Sequence, residues 1–292
     1  MPHEIMLRFR LPPSLGRVLQ YFDSRPHFSI QGDEIEYHNQ HTGVFFFLTC
    51  DVAAFPVLGQ RVRSIRFIIN YGRAGFFALE SEQVLAKIVK AFQPRIEDDQ
   101  IEGMGYGRYS SDGFIRGWEF GNLLMARFLI KGDDHFAKFR RRILPRERLL
   151  QAWRWNLETD PDWPKVEGHH RPRLMCAGET EDGFKMGVVW PFRLPVALPR
   201  ADYVILQQDE ADESRFHRIG WTDLVEVLDR AGLPTQGDPI NLTHDHPPQS
   251  LLDWVDSLTW VGWDDVRALS LCKMIDAETI EAARLGIWMW GS

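Results

Sequence analysis

A series of strand-like segments in the N-terminal third of the chain constrains the fold most. Residues 4–10 and 33–38 alternate apolar and polar side chains, residues 44–50 are continuously apolar, and residues 62–71 contain a further apolar series. Such segments predict β-strands, because successive side chains of a strand point to opposite faces of a sheet. The turn at residues 41–43 predicts a hairpin. We expect the first strand to lie at an edge of the sheet.

Two amphipathic helices accompany these strands. Ser14 can cap the first helix. The second is predicted over residues 78–92, where apolar side chains recur at helical spacing. These side chains are Leu79, Val84, Leu85, Ile88, Val89 and Phe92. We expect its Leu85-to-Phe92 half to be buried. The order β-α-β-β-β-α predicts an antiparallel α+β unit.

The segment that follows is more polar. Residues 94–113 are rich in glycine and predict a loop. Residues 114–130 predict a third helix, with Trp118, Leu124 and Phe128 directed inward. Within the loop, residues 103–108 (GMGYGR) resemble a phosphate-binding loop, but the spacing is GxGxG and several acids lie close by. The sequence therefore favours a flexible connector there.

The chain divides into two predicted domains. Residues 160–173 are rich in proline and charge, which is typical of a linker. Beyond them, residues 173–179, 184–190 and 203–207 predict strands, and helices are expected at 222–231 and 276–284. The sequence thus predicts an α+β fold with a mainly antiparallel N-terminal sheet. A 1–160 domain carries this sheet, and a 173–292 domain forms a mixed α/β subdomain.

Charge is distributed unevenly between the halves. The 292-residue chain carries a formal charge of −7. Residues 1–150 hold 21 Lys and Arg against 17 Asp and Glu, whereas residues 151–292 hold 13 against 24. An acidic protein is a poor general binder of nucleic acid. The sequence shows neither a secretory leader nor an apolar run long enough to cross a membrane, so a cytoplasmic location without a membrane partner is expected.

The acidic half contains the predicted binding residues. Four acids lie within five residues, and four unpaired carboxylates are too costly to bury together, so we expect them to be exposed. They are Asp209, Glu210, Asp212 and Glu213. Two tryptophans near the C-terminus, Trp288 and Trp290, are candidate aromatic anchors. This combination predicts a surface for a basic protein partner.

Two other functions stay open at this point. Histidine and carboxylate side chains could hold a catalytic metal ion in a hydrolase. The candidates are His169, His170, His244, Asp245 and His246. The basic run at residues 138–142, with Arg140, Arg141 and Arg142, could contact nucleic acid in a regulatory protein. We expect this run instead to balance the acidic half, and we expect no cofactor.

Two stretches resemble a family of bacterial proteins of unassigned activity. They are residues 70–80, which include Asn-Tyr-Gly-Arg and Phe-Phe-Ala-Leu-Glu, and residues 113–122 (GFIRGWEFGN). The resemblance implies a bacterial cytoplasmic protein and supplies no catalytic residue. In general character the chain is similar to immunity proteins that neutralise bacterial toxins. The sequence therefore favours a binding protein over an enzyme, acting by occlusion of a basic toxin domain.

Overall fold

The computed structural model describes residues 2–57, 59–131, 142–158, 170–180, 183–210, 213–242, 247–266 and 268–286. The chain forms two compact units. Unit 1 comprises Met1–Leu149 and Cys272–Ser292, and unit 2 comprises Leu150–Leu271. Of the predicted linker, residues 160–169 lie outside the described residues.

Strands and helices are numbered in chain order. The strands are β1 (Pro2–Arg8), β2 (Phe28–Gln31), β3 (Glu34–His38), β4 (Phe45–Phe55), β5 (Gly59–Asn70), β6 (Arg95–Asp98), β7 (Gly105–Gly107), β8 (Ile143–Leu144), β9 (Leu174–Thr180), β10 (Gly183–Pro191), β11 (Val196–Leu198), β12 (Tyr203–Glu210), β13 (Glu213–Gly220), β14 (Ile240–Leu242) and β15 (Ile275–Asp276). The helices are α1 (Leu15–Asp23), α2 (Phe76–Phe92), α3 (Ser111–Lys131), α4 (Arg146–Glu158), α5 (Trp221–Arg230), α6 (Gln249–Asp256), α7 (Trp263–Val266) and α8 (Ala277–Leu285). The fold is α+β, as predicted.

Unit 1 contains a seven-stranded antiparallel sheet in the order β2-β3-β4-β5-β1-β6-β7. The predicted hairpin is confirmed as β3 and β4, with Glu34 opposite Thr49 and His38 opposite Phe45. The expectation that the first strand lies at an edge is wrong, because β6 pairs with β1 on the side opposite β5. The predicted loop at 94–113 contains β6 and β7. Tertiary pairing overrides their weak strand propensity.

The helices of unit 1 and the buried side of the sheet share one core. Helix α1 contacts β5, and α2 contacts β4. Ser14 caps α1 as predicted, since its hydroxyl accepts a hydrogen bond from the Arg17 N–H. The Phe67 ring on β5 lies 5.9 Å from the Phe114 ring on α3. The Phe22 ring on α1 lies 5.0 Å from the Phe28 ring on β2.

The apolar stripe of α2 is only partly buried. Leu85 and Ile88 are fully buried, whereas Val89 and Phe92 in the last turn are half-buried. The expectation of a stripe buried through Phe92 is therefore wrong at its C-terminal end. The Phe92 ring instead contacts the rings of Tyr21 and Phe9, at centroid distances of 4.9 and 6.1 Å.

The inward face of α3 also differs from the prediction. Trp118 is buried, but Leu124 is 39% and Phe128 71% exposed. Six residues along an α-helix correspond to about 600° of rotation, which places Leu124 far from Trp118 around the helix. The buried side of α3 carries two glycines that allow close packing. At Gly117 an added Cβ atom would lie 2.8 Å from the Gly103 Cα, and at Gly121 it would clash with the Tyr71 ring.

Unit 2 contains a four-stranded mixed sheet in the order β13-β12-β10-β9. Strands β10 and β12 are parallel, and the other neighbours are antiparallel. Strands β9, β10 and β12 match the three predicted strands. Strand β13 escaped prediction because its sequence, ESRFHRIG, is dominated by polar and charged side chains. Strands β11 and β14 form a separate two-stranded sheet.

The C-terminal segment packs in unit 1, although the sequence placed it in the 173–292 domain. Strand β15 pairs with β8, and α8 packs against α3 through Ile280 and Ala283. Asp276 precedes α8 and is buried. One of its carboxylate oxygens accepts hydrogen bonds from the Gly75 N–H at 2.9 Å and the Arg146 Nε at 3.2 Å. These contacts hold the last described helix in the first unit.

The uneven burial of α2 leads to a prediction for its core. Leu85→Ala should lower the free energy of unfolding by about 2–5 kcal/mol, because it leaves a cavity in a closed core. Phe92→Ala should cost less than Leu85→Ala, since the half-buried ring retains contact with solvent. Urea denaturation of both variants measures this order. A larger loss for Phe92→Ala would contradict it.

The close packing at α3 predicts opposite effects for two glycine substitutions. Gly117→Ala should destabilise by about 1–3 kcal/mol, because the methyl group forces the Gly103 backbone away. Gly16→Ala in α1 meets no atom within 4 Å. It should stabilise by about 0.5 kcal/mol, since alanine loses less backbone entropy than glycine. Thermal and urea melts of both variants measure the change in the free energy of unfolding. A change of the same sign in both variants would contradict the packing argument.

Candidate protein-binding surface

The predicted acidic run lies where β12 connects to β13. Asp209 pairs opposite Ser214, and Glu210 opposite Glu213. The Asp209 side chain is exposed, and its Oδ1 accepts hydrogen bonds from Ser214 Oγ at 2.6 Å and Gln207 Nε2 at 2.8 Å. These two hydrogen bonds hold the pKa of Asp209 below its usual value, so the carboxylate stays charged.

The backbone register at this connection brings two like residues together. These residues are Glu210 and Glu213, at the end of the β12–β13 pairing. The remaining acid of the run, Asp212, lies outside the described residues. Of the four acids, Asp209 is therefore the one whose side chain the structure describes.

The free edge of β13 pairs with an extended segment that precedes α7. Phe216 N–H donates to the Val261 carbonyl at 2.9 Å, and Val261 N–H donates to the Phe216 carbonyl at 2.8 Å. His217 Nδ1 lies 2.8 Å from the Thr259 carbonyl oxygen. These contacts hold Trp263 against the sheet, where its ring meets the Phe216 ring edge-on at a centroid distance of 4.9 Å.

This arrangement leaves an exposed aromatic side chain beside acids. Trp263 is 42% and Val261 38% exposed. Asp264 and Asp265 follow directly and are exposed. We call these four residues the Trp263 surface. Tryptophan anchors dominate many protein interfaces, and flanking charges select the partner.

The Trp263 surface and the acidic hairpin share strand β13. Ser214, which faces Asp209, and Phe216, which pairs with Val261, are two residues apart, or about 7 Å along a strand. Arg218 on the same strand stacks over the Tyr203 ring at 4.8 Å. The acidic and aromatic features are thus neighbours within unit 2.

The sequence missed the Trp263 surface as a site. Nothing in the strand pattern showed that β13 would hold Trp263 beside Asp264 and Asp265. The signal was present in residues 260–265 (WVGWDD), where two tryptophans flank a Val-Gly pair and two aspartates follow. The predicted anchors Trp288 and Trp290 lie outside the described residues.

Most residues proposed for a metal site also lie outside the described part of the chain. These are His169, His244, Asp245 and His246. His170 is exposed to solvent, and partial burial of its imidazole lowers its pKa. Within the described ranges, no group of three or more His, Cys, Asp or Glu side chains is arranged to hold a metal ion.

Most of the predicted basic run at residues 138–142 also lies outside the described residues. Arg140 and Arg141 lie outside the described residues. The carbonyl of Arg142 accepts a hydrogen bond from the Ile275 N–H, next to the β8–β15 pair. Among the helices that the structure describes, none is both long and apolar enough to cross a membrane.

Comparison of the chain with models of protein families, with curated proteins and with solved structures found no match. The site is therefore interpreted from its own geometry.

The exposure of the Asp209 carboxylate leads us to predict that the charges of the acidic run are dispensable for folding. Replacing Asp209, Glu210, Asp212 and Glu213 together by serine should change the free energy of unfolding by less than about 0.5 kcal/mol, as for most surface substitutions. Denaturant melts at low and high salt measure the change. A loss above about 1 kcal/mol would assign these acids a structural role.

Proposed function

We propose that this chain is a protein-binding module whose second unit recognises a basic protein partner. The observation that carries the proposal is the half-exposed Trp263 ring, held against β13 with Asp264 and Asp265 beside it. Residues 150–271 contain 11 Lys and Arg against 21 Asp and Glu, so the unit as a whole favours a positively charged partner.

The proposed mechanism is occlusion. Trp263 enters a pocket of the partner and excludes water, which is how a single aromatic side chain contributes most of the binding energy at an interface. The carboxylates of the hairpin and of α7 occupy a basic cleft in place of an anionic substrate. Long-range attraction between the opposite charges accelerates association.

The most concrete form of this proposal is a bacterial, cytoplasmic immunity protein that neutralises a toxin. The general resemblance in character to such proteins supports it, together with the acidic second unit. A basic toxin domain is the expected partner. Binding would block the toxin without a cofactor or a chemical step in this chain.

Two matched variants test the surface. Trp263→Ala combined with Asp264→Ser and Asp265→Ser removes the Trp263 surface. Leu194→Ala combined with Glu226→Ser and Asp229→Ser is the control, since it removes one exposed apolar side chain and two exposed acids from the same unit. We expect the first variant to raise the Kd for the partner at least about 30-fold and the control to leave it unchanged.

Affinity capture from the native host, followed by mass spectrometry and kinetic titration with the purified partner, provides the measurement. The partner should be basic, and its association rate should fall as salt rises, because charge attraction is screened beyond about 8 Å at 0.15 M. Equal retention by both variants, an acidic partner, or recovery of no partner would each contradict the proposal.

A further inference from the structure

An open cleft of about 650 Å³ lies in unit 1, far along the sequence from the Trp263 surface. Three arginines line it, Arg10, Arg95 and Arg108, together with Val89, Pro94 and Tyr109. Its volume falls within the range of about 300–1,000 Å³ that is common for small-molecule sites. The cleft lies in the half of the chain where Lys and Arg outnumber Asp and Glu, by 21 to 17 over residues 1–150.

The sheet topology brings the three arginines together. Strand β1 ends where Arg8 faces Arg95 at the start of β6, and Arg10 follows two residues later. Strands β6 and β7 pair as far as Gly107, so Arg108 is the next residue beside Arg95. Strands β1 and β7 therefore end where β6 begins, and the three arginines lie at this same end of the sheet.

The acids next to these arginines in sequence are engaged elsewhere. Glu97 on β6 forms an ion pair with Arg8, with 2.6 Å between Oε2 and Nε. Asp99 accepts a hydrogen bond from the hydroxyl of Tyr106. Neither acid lines the cleft. The other two acids close to the glycine-rich segment, Asp98 and Glu102, do not line the cleft either.

Asp98 is turned into the interior of the unit. Its carboxylate is buried 3.3 Å from the imidazole Nε2 of His3. It also accepts hydrogen bonds from the N–H groups of Met104 at 2.9 Å and Gln100 at 3.1 Å. Burial would raise the pKa of Asp98, but His3 and these N–H groups outweigh it and lower the pKa. The charge of Asp98 is therefore satisfied away from the cleft.

Glu82 on α2 is the acid associated with the cleft wall. It accepts a hydrogen bond from the Tyr109 hydroxyl. Burial and the neighbouring Glu82 carboxylate raise the pKa of Tyr109, so the phenol stays protonated and bound to Glu82. Of these two residues, Tyr109 lines the cleft and Glu82 does not, so no carboxylate of this pair competes with an anion there.

The arginines themselves have no ion-pair partner within the described parts of the chain. Arg10, Arg95 and Arg108 are all exposed, so water solvates them in the free protein. Grouping three positive charges without a counterion is unfavourable, and a bound anion relieves this repulsion. Guanidinium groups bind phosphate oxygens through paired N–H donors.

One structural role competes with ligand binding. The cleft also contains Gln93, the left-handed residue that ends α2, and the C-terminus of a helix attracts positive charge. The helix end is equivalent to roughly half a negative charge. This partial negative charge can balance at most one arginine of the cleft. The three positive charges together exceed it.

We propose that this cleft is a binding site for a phosphate group, free or as a phosphate ester. The three guanidinium groups hold the phosphate oxygens, and Val89, Pro94 and Tyr109 provide an apolar wall for the remainder of an ester. The glycine-rich segment at 103–108 contributes Arg108, which β7 positions beside the cleft. It does not act as a phosphate loop at the start of a helix. This site is independent of the protein-binding function proposed for unit 2.

Calorimetric titration of the full chain with inorganic phosphate, phenyl phosphate and acetate tests the site. Phosphate should bind, phenyl phosphate should bind more tightly because its ring contacts the apolar wall, and acetate should bind at least about 10-fold more weakly than phosphate. The variant Arg10→Gln, Arg95→Gln, Arg108→Gln should lose phosphate binding. Each single substitution should weaken it about 10-fold.

A charge-matched control separates the site from general electrostatics. The variant Arg66→Gln, Arg193→Gln, Arg200→Gln removes three exposed arginines outside the cleft and should bind phosphate like the unmodified chain. Circular dichroism of each variant confirms folding. The proposal is overturned if phosphate up to about 10 mM does not bind the unmodified chain, if both triple variants bind it equally, or if acetate binds as well as phosphate.

Discussion

The buried carboxylate of Asp276 joins three stretches of chain that are far apart in sequence. It accepts hydrogen bonds from Gly75 before α2 and from Arg146 at the start of α4, and Arg146 in turn binds Glu119 on α3 at 3.0 Å. Removing one partner of a buried pair leaves an uncompensated charge, which costs several kcal/mol. The side chain at this N-cap position therefore stabilises tertiary structure instead of capping its own helix, for which it makes no hydrogen bond.

Local sequence patterns predicted individual strands and helices of this fold, but not every position that these elements take in it. The β3–β4 hairpin and the helices α2 and α3 were predictable, because their periodicity is determined within each segment. The position of β1 inside the sheet was not, since it depends on the pairing of β6, whose sequence (RIED) carries little strand signal. The exposure of Phe128 depends on which side of α3 meets the core, and side-chain spacing alone left that choice open.

The functional surfaces were harder to predict for the same reason. Charge along the sequence suggested that the acids around residues 97–102 would repel an anion, but Glu97 binds Arg8 and Asp98 turns inward to His3. The Trp263 surface likewise depends on the pairing of Val261 with Phe216 across 45 residues. The sequence correctly predicted that Asp209 is exposed. The position of the aromatic anchor Trp263 could be found only from the fold.

The discontinuous build of unit 1 has a consequence for the order of events during synthesis. Strand β15 pairs with β8, yet the whole of unit 2 is translated between them. While the ribosome makes residues 150–271, the side of α3 that receives Ile280 and Ala283 has no covering helix. Closing so long a loop costs entropy that grows with the logarithm of its length, and prior folding of unit 2 shortens the loop that remains flexible. The nascent chain therefore adds helix α8 to unit 1 most readily when the inserted unit has already collapsed.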